Sequence, residues 1–336
     1  MNKVSGEIMM NIIIGIDVSK AKIDCAWLRD LNTGKVKTKV LKNNAEGFQS
    51  LINWVEINTQ QSLSTIRFVM EATGIYHEAL AYALHDAGAE VCVVNPAYIH
   101  DYAKSLGTRS KTDKKDSVVI AGFGATHRLE LWQPEPKEIR HLKALIARHE
   151  AIEKDLQREN NRLEKAEITQ VSAEVIDSIN TVIKELTKEK NRIRQLIDDH
   201  IDQSPALKQD AALLKSIPGV GPVIAQRMIA LVHSRKFISA RQCAAFIGLN
   251  PVVRESGTSV RGRSRLSKMG DAKIRAKLYM AAVVAIQYNP DIKQQYERLL
   301  KNGKSKMAAI GAAMRKLVQI CFGVLKHQTP YQPQAI

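Results

Sequence analysis

The sequence predicts an α/β domain built on a mixed sheet, then a long helical coiled-coil connector, then an all-α C-terminal domain. Three observations carry this: short β-branched runs alternating with helix-period segments at the start, a charge-dense stretch without glycine or proline from about Glu138 to Ile201, and the return of glycine, proline and alanine after Ala211. The implied spans are 1–132, 133–208 and 209–328, with 329–336 a tail. The segment from His327 to Ile336, rich in Gln and Pro, reads as poorly ordered.

Asn11 to Ile16 is too short for a buried helix and rich in Ile, so it reads as a core strand that delivers Asp17 to its mouth. Lys22 to Arg29 is a second strand, and Asn32-Thr33-Gly34 supplies the turn before a third, Lys35 to Leu41. Ala45 to Val55 has helical spacing, Ile66 to Met70 is a strand ending at Glu71 and Thr73-Gly74, and Tyr76 to Ala87 is a helix. Val91 to Val94 is a strand closed by Asn95-Pro96, Ala97 to Leu106 a helix, and the polar Gly107 to Lys115 leads into a helix from Asp116 to Arg128. Three strands, helix, strand, helix, strand, helix suits a meander followed by parallel crossovers, the ribonuclease-H-like arrangement. Beyond Pro134 and Pro136, apolar residues from Leu142 to Leu163 and from Ile176 to Ile197 imply two long helices that pair with each other or with another chain. Leu213 to Val232 then reads as helix, tight turn, helix.

The chain has 336 residues, room for two or three domains, and 50 Lys+Arg against 34 Asp+Glu give a net charge of +16. That excess favours a polyanion, nucleic acid before an anionic membrane, because the basic residues spread along the whole chain and no stretch reads as a bilayer span. The start, MNKVSGEIMM, lacks a signal-peptide pattern, which implies a cytoplasmic protein, and Met10 is an alternative start to Met1. Cys25, Cys92, Cys243 and Cys321 stand far apart, as reduced core residues do, and the nine histidines form no HxxxH or HExxH.

Four carboxylates sit where strands or helices meet loops: Asp17, Glu71, and the pair Asp113 and Asp116 in KTDKKD. Each alone is as well explained by a turn or a solvated helix start. Residues three apart on a helix point the same way, and the first and fourth strands are neighbours in the expected sheet, so all four converge if the fold is right. Carboxylates that close require a cation, and an all-oxygen set favours Mg²⁺ or Mn²⁺, the chemistry of phosphodiester cleavage. A second signal is SIPGVGPV, in which Gly219 and Gly221 allow a tight turn whose amides, at a helix start, bind phosphate as in a helix-hairpin-helix; an ordinary helix pair has the same pattern. A third is Val253 to Lys277, with eight basic residues, among them Arg254, Arg261, Arg263, Arg265 and Lys268, in a Gly-Ser loop suited to phosphate contacts, followed by a helix that Asp271 caps. Arginines that favour an alkoxide crowd Ser256 there, but Ser259, Ser264 and Ser267 are equal candidates by residue chemistry.

GIDVSK, MEATG, NPA, KTDKKD, SIPGVG, AAFIGLNP, ESGTSVRG and SKMG, in this order from about Ile12 to Leu325, resemble the insertion-sequence-one-ten family of transposases, the DEDD recombinases related to Piv-type invertases. The resemblance implies a RuvC-like domain, a coiled-coil connector and a transposase domain. It puts the acidic tetrad on Asp17, Glu71, Asp113 and Asp116, and the nucleophilic serine on Ser256. It further implies a bridge non-coding RNA that pairs with double-stranded donor and target DNA, a serine joined covalently to DNA with metal assistance, and a dimer or a tetramer built as a dimer of dimers, nucleoid-associated. A longer N-terminus before Ile12 and insertions between the second strand and Glu71 depart from the family pattern without touching these five positions. The rival readings are a metal-dependent Holliday-junction-type nuclease using water as nucleophile and a non-catalytic architectural protein. No GxxxxGK[ST] signals ATP use, consistent with transesterification that conserves bond energy.

Overall fold

The computed structural model describes residues 12–30, 33–72, 74–107, 113–252, 255–256, 260–261 and 265–334, with the backbone alone at 113–115, 255–256 and 260–261. The chain divides into two compact units, Met1–Pro134 and Glu135–Ile336.

The first unit is a five-stranded mixed sheet. β1 (Ile12–Val18), β2 (Lys22–Asp30) and β3 (Lys35–Lys42) form the meander, and β4 (Ile66–Glu71) and β5 (Glu90–Val94) follow, in spatial order β3-β2-β1-β4-β5. β1 runs antiparallel to β2 and parallel to β4, and β4 parallel to β5, the topology expected from the order of elements. The turn after β1 is held by the Ser19 amide and hydroxyl, each donating to the Lys22 carbonyl at 2.9 Å, and Asn43 Nδ2 donates to the carbonyls of Ser19 and Tyr76 at 2.8 and 3.1 Å. One asparagine thus ties together two loops at the rim where β1 ends.

The sheet is covered on both faces. Ile14, Ile16, Ile23, Cys25, Phe68 and Met70 pack against α1 (Ala45–Thr59) and α2 (Glu78–Asp86). Ile13, Val69, Cys92 and Val94 pack on the other face against α3 (Pro96–Ser105) and α4 (Asp113–Thr126). α4 begins a turn earlier than the sequence pattern implies and takes Asp113 into the helix. It lies unusually close to the sheet: a Cβ on Gly15 would stand 2.3 Å from the Ser117 carbonyl oxygen and the Ala121 amide, and one on Gly124 would stand 2.7 Å from Val69.

The second unit opens with α5 (Lys137–Ile168) and α6 (Ala173–Gln203), an antiparallel hairpin closed at its base by His200, whose Nε2 lies 2.9 Å from the Glu138 carbonyl oxygen. The base is buried through Ile139, Leu142, Ile152, Ile193, Ile197 and Ile201, which join the core of the helices that follow. Ile168, Val171, Val175 and Val182, near the far end, are exposed.

That core is built from α7 (Pro205–Lys215), α8 (Pro222–Ser234), α9 (Ala240–Phe246), α10 (Ala272–Tyr288), α11 (Pro290–Lys301) and α12 (Lys306–His327). α12 is long and apolar enough to cross a membrane, contrary to the sequence reading. Leu317, Val318 and Cys321 on it are fully buried in the domain core, so its apolarity is that of a central helix. The tail also departs from expectation. After Gln328, the Tyr331 amide donates to Ser216 Oγ at 2.9 Å, its hydroxyl lies 3.0 Å from Asn289 Oδ1 and 2.8 Å from Asp291 Oδ2, and the Gln334 amide reaches Asp291 Oδ1 at 3.2 Å. Composition misled here because a polar, proline-rich strap needs few apolar contacts once its backbone and one tyrosine are hydrogen-bonded.

Candidate functional site

Strand register decides where the carboxylates emerge. Ile16 pairs with Met70 across β1 and β4, so Asp17 and Glu71 are the next level along two adjacent parallel strands. Because Ile14, Ile16, Phe68 and Met70 face one core, alternation turns Asp17 and Glu71 to the face that α4 covers. α4 runs back along β1, its Ser117 and Ala121 over Gly15 and its Gly124 over Ile13 and Val69, so its N-terminal end lies toward Asp17. Asp113 and Asp116 occupy that end, with Asp116 adjoining the buried Ser117. Asp17, Glu71 and Asp116 are each partly buried. The side chain of Asp113 lies outside the described residues, and among the described residues no three His, Cys, Asp or Glu side chains are gathered closely enough to hold an ion. In donor chemistry the set fits a hard divalent cation, since every candidate ligand is a carboxylate.

Asp24 is the residue that the sequence reading missed. It pairs with Asp17 in the β1–β2 register, shares its face, is 5% exposed and lies 3.1 Å from Lys22 Nζ. Its signal was available: a carboxylate flanked by Ile23 and Cys25 in an apolar strand is costly to bury without a task or a partner.

The SIPGVGPV segment forms the turn between α7 and α8. Gly219 has φ +96°, and a Cβ there would meet Ala285 at 2.6 Å, so glycine is required. Gly221 differs from expectation: it is the extended N-cap of α8 (φ −91°) and a Cβ there meets open space, so close approach at the helix start is what glycine leaves available.

The basic segment is a nested ribbon where a loop was expected. Pro251–Val252 (β6) pairs with Arg265–Leu266 (β9), and inside it Glu255–Ser256 (β7) pairs with Val260–Arg261 (β8). Antiparallel pairing satisfies the backbone of a segment with little apolar surface to bury, and Val252 and Val260 suit extended geometry. Ser256 thus stands in register opposite Val260, and Glu255 opposite Arg261. Arg254, Arg263, Ser259 and Ser264 lie outside the described residues, as do the side chains of Ser256 and Arg261. Arg265 and Lys268 are exposed, Lys268 with φ +55°.

The motifs AAFIGLNP and SKMG prove to be one contact. A Cβ on Gly248 would stand 2.9 Å from the backbone of Lys268 and Met269, and one on Gly270 would stand 2.3 Å from the Phe246 carbonyl oxygen. The Ser267 amide donates to the Asn250 carbonyl at 2.9 Å, and Leu266 packs on the core, so the ribbon is seated on a rigid base. Two of the eight basic residues, Arg275 and Lys273, serve the fold instead of an open phosphate surface. Arg275 donates to the carbonyls of Ile247 and Gly270 at 3.0 and 2.9 Å, Lys273 binds Glu150 at 2.8 Å, and Lys277 lies 3.4 Å from Glu153. All four cysteines are free and buried, and burial pushes the Cys92 thiol up to about 11 and that of Cys243 to about 12, which makes them poor nucleophiles.

Comparison with known proteins agrees in both units. The DEDD transposase family of IS110 matches residues 14–166, and the transposase family IS116/IS110/IS902 matches residues 211–297. The pilin gene-inverting protein of Moraxella bovis is 34% identical over 325 residues, covering 96% of this chain and 98% of its own. An uncharacterized 42 kDa protein of insertion element IS900 from Mycobacterium paratuberculosis is 27% identical over 46% of this chain and 39% of its own. Thermus thermophilus RuvC covers 36% of this chain and 99% of its own at 12% identity, with a TM-score of 0.27, too low to argue from. With two family matches spanning both units and a relative alike over nearly the whole length, the chain belongs to the IS110 family of transposases.

Proposed function

We propose that the protein is an RNA-guided DNA recombinase that cuts and rejoins donor and target duplexes through a covalent serine–DNA link, using Asp17, Glu71, Asp113 and Asp116 with Mg²⁺ or Mn²⁺. The observation that carries the proposal is the shared register level of Asp17 and Glu71, on the face covered by the helix that bears the other two acids. Bound there, the ion supplies charge neutralisation at the scissile phosphate. Ser256 Oγ attacks phosphorus, a sugar oxygen leaves and takes a proton, and a second hydroxyl later displaces the serine, so each bond broken is matched by one formed. Arg261, Arg265 and Lys268, with Arg254 and Arg263, hold the phosphates of the strand under attack, and the α7–α8 turn at Gly219 and Gly221 holds phosphate as a helix-hairpin-helix. The bridge RNA supplies sequence choice by base pairing, and the α5–α6 hairpin, as a coiled coil, joins subunits into a dimer or a tetramer. Residues 133–208 and 209–328 then divide assembly from serine chemistry, in the cytoplasm where chromosome and transcript meet. The name of the Moraxella relative extends the reading to inversion of a DNA segment.

Trapping tests this. Protein, copurified RNA and flanking-element DNA are mixed with Mg²⁺ and resolved under denaturing conditions. A protein–DNA adduct is expected with the natural chain, absent in Ser256→Ala, and reduced at least a hundredfold in Asp17→Asn and Glu71→Gln. An adduct that persists in Ser256→Ala overturns the nucleophile, and cleavage without any adduct points to water.

A further inference from the structure

A cleft of about 180 Å³ opens between α5, α6, the start of α8 and α10 in the second unit. Lys190 and Arg194 on α6, Arg227 on α8 and Lys277 on α10 line it, with His149 and Glu153 on α5. Its floor holds a donor with no acceptor. The Arg227 side chain is 8% exposed, its Nη1 donates to Glu150, and its Nε has no hydrogen-bond partner among the described residues. Glu150 is itself occupied by Arg227 and by Lys273 at 2.8 Å. Among the described residues Glu153 is the only acid in the lining, and Lys277 at 3.4 Å and His149 at 4.0 Å already face it.

Arg227 and Lys277 have carboxylate partners in Glu150 and Glu153, which leaves Lys190 and Arg194 as the cations of the lining with no ion pair among the described residues. Lys190 and Arg194 stand four apart on one helix, a like-charged spacing that costs stability. The acid beside them, Glu189, is turned to Arg192 at 2.7 Å on the outer face instead. The N-terminal end of α8, at Pro222 and Val223, also lines the cleft and adds its positive dipole end. His149 feels the result. Burial holds it below the usual histidine range, Glu153 opposes, and Lys190, Lys277 and Arg194 press it down further. Among the described residues no Phe, Tyr or Trp lines the cleft to offer a base a stacking surface.

We propose that this cleft binds a phosphate of a nucleic-acid backbone, held by Lys190, Arg194, Lys277 and the Arg227 head group, on residues other than those of the serine ribbon and sharing only the start of α8 with the Gly219 turn. The proposal rests on the nucleic-acid reading above but on none of its chemistry. The entering phosphate oxygen is the acceptor that Arg227 Nε lacks. Contacts of this kind fix position without reading sequence.

The test uses the full chain and two labelled probes of unrelated sequence, a duplex DNA and a single-stranded RNA, with binding followed by anisotropy across a salt series. Lys190→Gln with Arg194→Gln is compared with Lys184→Gln with Lys188→Gln, an equal charge loss at exposed positions of the same helix outside the cleft. The cleft pair is expected to lower the slope of log affinity against log salt by about 1–2, and affinity by roughly 10–100-fold, with little change for the outer pair. A fall with RNA alone assigns the strand to RNA, and a fall with duplex alone to DNA. Equal effects from both pairs, or no effect from the cleft pair, overturn the proposal. Histidine NMR with dimethyl phosphate gives a second readout: His149 should titrate at higher pH with the probe in the natural chain and not in the cleft variant. Binding that behaves as stated without any serine adduct would retire the recombinase mechanism and leave the cleft standing. An adduct with no slope change would do the reverse.

Discussion

Gly219 and Gly221 read alike in the sequence, and the fold separates them. At Gly219 a side chain must take positive φ and push into the backbone of α10, so Gly219→Ala should cost about 2 kcal/mol or more. Gly221→Ala adds a methyl to open space at an extended residue and should change stability by about 0.5 kcal/mol or less. Urea unfolding of the two variants checks this, and equal losses would refute the distinction. That Asp17 and Glu71 lie near strand ends was legible because turn chemistry follows each. Asp24 carried a local signal in its apolar neighbours, but that it faces Asp17 did not show, because register across β1 and β2 is absent from the local pattern.

Between elements, the cluster of Glu150 with Arg227 and Lys273 fixes α5 against α8 and α10. Burial tends to raise the Glu150 carboxyl, but the hydrogen bonds and charges of Lys273 and Arg227 outweigh it and leave it below its ordinary value. A carboxyl depressed in the folded state binds fewer protons than in the unfolded chain. Its contribution is therefore present above the unfolded value and lost as pH falls through the folded one. The midpoint of urea unfolding should accordingly drop as pH is lowered from about 5 toward 3. That drop should be smaller in Glu150→Gln, and an identical pH dependence in the two proteins would remove Glu150 from the account. Arg227→Met should be the harsher change, at about 3 kcal/mol, since it leaves the buried Glu150 carboxylate with Lys273 as its one remaining partner among the described residues. From sequence alone Lys273 was one of eight basic residues in a segment suited to phosphate contacts. Which of them turn inward is set by the packing of three helices that are remote in the chain.

For the whole molecule, the α5–α6 hairpin separates a buried base from an exposed end. Removing the entire hairpin would take Ile139, Leu142, Ile193 and Ile197 from the core, so assembly is better tested by shortening it. Replacing residues 157–184 by a short Gly-Ser connection deletes the exposed Ile168, Val171, Val175 and Val182 and spares the base. By light scattering the shortened chain should assemble with fewer subunits than the full chain while its remaining helices stay folded. An unchanged number of subunits would place the subunit contacts elsewhere.

The sequence by itself determined the kinds and order of the elements in the first unit, the mixed sheet and the family, because strand and helix periods and glycine-rich turns are local signals that a chain carries openly. Tertiary structure alone decided that Asp24 lies beside Asp17, that the serine segment is a ribbon, that Lys273 and Arg275 are spent on the fold, and that the tail is strapped down through Tyr331. The reason is one of range. Propensity acts over a few residues, whereas a charge or a hydroxyl acquires its task from whatever the fold brings within about 3 Å of it.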